Sequence, residues 1–71
     1  MEIKTGLYRH YKGGEYHVID VARHSETEEW MVVYRTCYGD KSLWVRPLAM
    51  FTETLVIDGQ KVPRFAYVGK S

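Results

Sequence analysis

The sequence predicts a mainly β fold, and three observations carry that prediction. The apolar residues fall into short runs rich in Val, Ile, Tyr and Trp, such as Tyr16–Val21 and Trp30–Tyr34, a composition that fits a pleated, half-buried surface. Between the runs stand Gly13-Gly14, Tyr38-Gly39-Asp40 and Asp58-Gly59, residues that supply the backbone angles of tight turns. Two Trp, six Tyr and two Phe in 71 residues give a short chain the large side chains it needs for a core.

Taken in order, Met1 to Thr5 is a lead-in, and Leu7 to Lys12 is the first strand. Gly13-Gly14 is a tight hairpin turn, and the second strand runs from about Glu15 to Arg23. That strand carries apolar residues at both parities, so a bulge or bend near Asp20 is required to bring Tyr16, Val18 and Val21 or Ala22 into one core. The third strand covers about Glu28 to Cys37, and a short fourth covers Ser42 to Arg46. Pro47 ends the pairing and suits the start of a helical turn, so Leu48 to Phe51 forms a short turn that plugs the core with Met50 or Phe51. Thr54 to Ile57, Asp58-Gly59 and Gln60 to Val62 give the clearest hairpin signal, with Pro63 confining the second arm to an edge. Residues 66 to 71 read as a tail. The sum is a small SH3-like barrel of about five strands with one short helical turn near residues 47–51. It forms one domain over residues 1–71, with its barrel at about 6–65.

Composition narrows the function. A formal net charge of +1 gives no basic excess for non-specific attraction to nucleic acid or an anionic membrane. One cysteine, Cys37, leaves no internal disulfide and no cysteine cluster for zinc, which fits a reducing cytoplasm. No apolar run approaches the about 20 residues of a membrane span. His10, His17 and His24 recur every seven residues, a spacing that alternates faces on strands, so no metal site is expected, and no other cofactor either.

Two constellations stand out. The polar run Ala22 to Glu29 joins the two longest strands and holds His24, Ser25, Glu26, Thr27 and Glu29 together. Ser25-Glu26-Thr27-Glu28 fits a capping box, with Ser25 as the cap. Adjacency argues strongly against a nucleophilic triad, because neighbours on an extended chain point apart. The second constellation is aromatic. Tyr8, Tyr11, Tyr34, Trp44 and Arg46 can form a groove, with Trp44 and Arg46 on one strand face as its wall. Tyr, Trp and Arg are the residues that carry binding energy at interfaces, and Tyr16 and Tyr38 belong to the same set. The run from His24 to Glu29 would form its polar rim.

Tyr11-Lys12-Gly13 with Tyr16 and Val18, Ala22-x-His24-Ser25-Glu26-Thr27, Val33-Tyr34, Trp44-Val45-Arg46-Pro47 and Met50-Phe51 together resemble one small bacterial family, that catalogued as domain of unknown function sixteen-fifty-three. The resemblance spans about residues 6 to 65. It implies an SH3-like barrel of this length and brings no activity, substrate or cofactor with it. His24, Ser25, Glu26, Thr27, Trp44 and Arg46 are the positions it marks. The expectation is a non-enzymatic cytoplasmic module that binds a peptide or protein through the aromatic and arginine groove. RNA or single-stranded DNA is the second partner class, and an enzyme using His24 and a carboxylate the third.

Overall fold

Five strands pair into one antiparallel sheet and two more form a separate hairpin. The structure, a computed structural model, describes residues 3–70. In chain order the elements are β1 (Gly6–His10), β2 (Glu15–Arg23), β3 (Trp30–Thr36), β4 (Leu43–Pro47), α1 (Leu48–Phe51), β5 (Thr54–Ile57), β6 (Gln60–Pro63) and β7 (Phe65–Gly69). The large sheet has the order β4-β3-β2-β1-β7, and β5 pairs with β6 alone. The class is mainly β with one short helical turn, as expected. Among the described residues no ladder joins the two sheets, so the barrel is not closed.

The bulge demanded by the two-sided second strand is present. Val18 lies opposite Tyr34 and Asp20 opposite Val33, so one extra residue sits in β2 between them. That slip keeps Val18 fully buried and returns Val21 to the core face, while Ala22 stays exposed. Without it, every side chain beyond Val18 would point to the wrong face. The core gathers Tyr8, Val18, Val32, Tyr34, Leu48, Phe51 and Phe65, with Ile3, Tyr16, Val21 and Trp30 packed against it. Phe51, rather than the exposed Met50, is the plug that α1 supplies. Its ring stacks on Phe65 at 4.1 Å between centroids and meets Tyr8 edge-on at 5.2 Å.

Two expectations are corrected. The stretch read as a tail from residue 66 is instead mostly strand: Phe65–Gly69 is β7, which pairs with β1, while residue 71 lies outside the described residues. The close packing there explains Gly6, whose φ of 133° is strained for an L side chain and where a Cβ would come within 2.7 Å of the Gly69 carbonyl oxygen. The first strand stops at His10, and the turn is the longer loop Tyr11–Gly14, closed by hydrogen bonds from His10 N–H to Gly14 C=O and from Gly13 N–H to His10 C=O, each 2.7 Å. The Asp58-Gly59 hairpin does form the tight turn read from the sequence, both residues having positive φ, at 51° and 78°.

Candidate functional site

The antiparallel meander sends the β1–β2 loop and the β3–β4 loop to one end of the sheet, and the β2–β3 bend to the other. The first end collects rings. Tyr16 meets Tyr34 at 5.3 Å, Phe65 at 5.4 Å and Tyr38 at 5.8 Å, all edge-on. His10 meets Phe65 at 4.9 Å and Tyr11 at 4.6 Å. Edge-to-face contacts of this kind are favoured by the ring quadrupole. The hydroxyls of Tyr16 and Tyr38 lie 2.9 Å apart, tying the third loop to the second strand. Burial, followed by that hydrogen bond, pushes the Tyr16 phenol up to about 12.

Arg46 reaches into this end. Its guanidinium sits over the Phe65 ring, 5.2 Å from the centroid, a cation–π contact. The ion pairs among the described residues are Arg9–Glu15, Arg23–Glu28 and Arg64–Glu53, so no carboxylate there neutralises Arg46. The charge is felt nearby. His10 is held below its ordinary 6.5 by burial first, then by the Arg46, Arg64 and Lys12 cations. A neutral ring is also what its geometry uses, since His10 Nδ1 accepts the Lys12 amide at 3.1 Å.

Of the five residues expected to line a groove, three reach this surface. Tyr11 lies against His10, Arg46 lies over Phe65, and Trp44 borders the cluster opposite Tyr34 in the sheet, with about half its surface, 54%, in solvent. Tyr8 and Tyr34 do not line it. Each is 6% exposed, because β1 and β3 turn them into the core, and the Tyr8 hydroxyl donates to the Lys4 carbonyl at 2.7 Å. His10, Tyr16, Tyr38 and Phe65 complete the cluster instead. Tyr38 was legible as an aromatic in a loop, whereas nothing local marked Phe65 or His10.

The polar rim falls elsewhere. The bend from His24 to Glu29 is at the far end of β3, whose seven residues span roughly 20 Å. Its cap is His24, not Ser25: His24 Nδ1 accepts the amides of Glu26 at 3.1 Å and Thr27 at 3.3 Å. Thr27 Oγ1 accepts the Glu29 amide at 3.2 Å, and Ser25 Oγ meets only the Glu26 carboxylate, at 3.4 Å. The Ser25–Glu28 capping box does not form, because Glu28 takes a positive φ of 61° to reverse the chain and its amide bonds to the His24 carbonyl. The carboxylates of Glu26 and Glu29 make no contact with the His24 ring among the described residues. Glu29 instead edges a shallow depression of about 270 Å³ with Trp30, Leu48, Ala49 and Thr52.

These features define a small β domain with an aromatic end built around an uncompensated arginine. The chain belongs to the family described as a protein of unknown function (DUF1653), whose model matches residues 6–67. A crystal structure of a member of that family from Bordetella bronchiseptica is similar throughout. It is 39% identical with a TM-score of 0.87, over 97% of this chain and 91% of that one. Among curated proteins none matches. No helix of the described residues is long and apolar enough to cross a membrane.

Proposed function

We propose that this chain is a non-enzymatic binding module that takes a peptide or protein segment at its aromatic end, with Arg46 receiving a carboxylate and Tyr11, Tyr38 and Trp44 receiving apolar or planar groups. The observation that carries this reading is Arg46 itself: a half-buried guanidinium, held over Phe65, with no acidic partner among the described residues. A cation kept in that setting binds an incoming anion more strongly than a solvated one does, because less water screens the pair. The exposed rings around it are of the types enriched at binding hot spots. The free, exposed Cys37 fits a cytoplasmic setting.

The test is a titration of the labelled chain with acidic, neutral and basic peptide pools, read by chemical shifts. Acidic peptides should move the Trp44 indole and the Tyr11 and Tyr38 signals, and Arg46→Met should weaken binding about ten-fold or more. Shifts confined to the His24–Glu29 end would reject the reading. A second reading, single-stranded nucleic acid, has support in the cations Lys12 and Arg64, which act on His10 together with Arg46 beside rings on which bases could stack. Salt separates the two. Nucleic-acid affinity must fall steeply with salt, by about 0.7 log units per log unit of salt for each phosphate neutralised on a single strand.

A further inference from the structure

The outer edge of β4 carries an inference that rests on backbone pairing and shares Trp44 with the proposed binding end. In an antiparallel pair, residues whose backbone groups face the neighbour alternate with residues whose groups face away. The bond from Thr36 N–H to Ser42 C=O sets that phase for β3 and β4. Trp44 and Arg46, opposite Tyr34 and Val32, therefore turn their backbone groups to β3. Leu43 and Val45 turn theirs outward, on the side where β4 has no neighbour in the sheet among the described residues. The other side of β3 agrees. Bonds from Cys37 N–H to Glu15 C=O and from His24 N–H to Glu29 C=O direct the odd-numbered residues of that strand to β2.

Sheet edges are normally blunted by charge, proline or bulges. The β7 edge is distorted in this way, by a register shift between Leu7 and Tyr8 in its pairing with β1. The β4 edge is not. Its register with β3 is unbroken, and Leu43, Trp44 and Val45 are 55%, 54% and 58% exposed. A regular edge with open donors, open acceptors and apolar side chains on both faces is a template for another strand.

We propose that β4 pairs with β4 of a second copy of this chain, antiparallel about a two-fold axis at Trp44. In that register Leu43 lies opposite the partner's Val45 and Val45 opposite the partner's Leu43. Every outward N–H and C=O of the two residues is then satisfied on both strands. The two Trp44 side chains meet across the axis at the closer, non-hydrogen-bonded type of position. Arg46 lies opposite the partner's Ser42, so no like charges face one another. Moving the axis to Val45 would set Leu43 against the partner's Pro47, which has no N–H and whose carbonyl is engaged at the start of α1. The strand is thus its own complement in one register. A net charge of +1 leaves little repulsion between copies. On the opposite face, Leu43 and Val45 from both copies form one apolar strip. An interface built on one short strand is small, so the dimer is concentration-dependent.

Sedimentation of the full chain from micromolar to millimolar concentration tests this. The mass should rise towards twice the 8.3 kDa monomer. Trp44→Glu, which sets two carboxylates across the axis, and Val45→Pro, which removes an outward N–H and leaves the bonds to β3 intact, should each weaken association about ten-fold or more. Val45→Lys replaces the proline variant if circular dichroism shows that it misfolds. In a Cys37→Ser background, Trp44→Cys should cross-link on mild oxidation and Leu43→Cys should not. A monomer at every concentration overturns the proposal, as does a dimer indifferent to these changes. So does a monomer whose Leu43 and Val45 amides gain exchange protection only with added peptide, which would assign the edge to a foreign strand.

Discussion

His24 shows how a residue type that suggests chemistry can be committed to structure. Its imidazole nitrogen does the work usually given to Asp, Asn or Ser in turns, accepting two backbone amides that the bend would otherwise leave to solvent. His10 does the same for Lys12 at the opposite end of the sheet. The sequence offered Ser25 as the cap because Ser-x-x-Glu is a familiar helix-start pattern. The bend is not a helix start, and the positive φ at Glu28 breaks the geometry that a capping box needs. Removal of each side chain distinguishes the two roles. His24→Ala should destabilise the fold by about 1 kcal/mol, the usual range for a lost cap. Ser25→Ala should stay within about 0.5 kcal/mol, as surface changes without such a role do. Urea denaturation of both variants reads the difference, and equal losses would return the cap to Ser25.

At the scale of elements, α1 is held less by its own hydrogen bonds than by one ring. Four residues are too few for a stable helix on their own, so the turn exists because Pro47 starts it and Phe51 is anchored among Tyr8, Tyr34 and Phe65. Phe51→Ala should therefore cost about 3–5 kcal/mol, as for other buried aromatics. Met50→Ala, one residue away but exposed, should change the denaturation midpoint little. Comparable losses would mean that the helix itself, not the plug, is what matters. The sequence made α1, the β2 bulge and the Asp58-Gly59 hairpin legible because each has a local cause: a proline, a two-sided apolar pattern, a turn pair. It did not make β7 legible. Phe65–Gly69 is separated from Pro63 by Arg64 alone and has only one buried residue, so its pairing is a demand of the open β1 edge rather than of its own pattern. The same limit hid the aromatic end, because Phe65 and His10 face each other only once β7 is laid against β1.

Across the whole molecule, the balance of charge hides a local excess at the aromatic end, and that excess should govern how stability depends on pH. Burial and the cations of Arg46, Arg64 and Lys12 hold His10 below its ordinary 6.5. The unfolded chain, lacking those neighbours, takes up a proton first. Stability is therefore fully present above about pH 6.5 and declines as the pH falls towards the depressed value of the folded state. A separate loss follows in stronger acid. Asp40, held below its ordinary 3.8 by the Ser42 side chain and amide, stabilises the β3–β4 loop only while it is ionised. Denaturation midpoints measured from pH 8 to pH 5 should fall in the wild type. His10→Gln keeps an acceptor and cannot titrate, so it should flatten that decline. Arg46→Met should lessen the decline without abolishing it, because burial is the largest cause of the shift and Arg64 and Lys12 remain. An unchanged slope in His10→Gln would place the titrating group elsewhere. A slope unchanged in Arg46→Met alone would show that the Arg46 charge does not reach His10, and would weaken the case for Arg46 as a cation awaiting its anion.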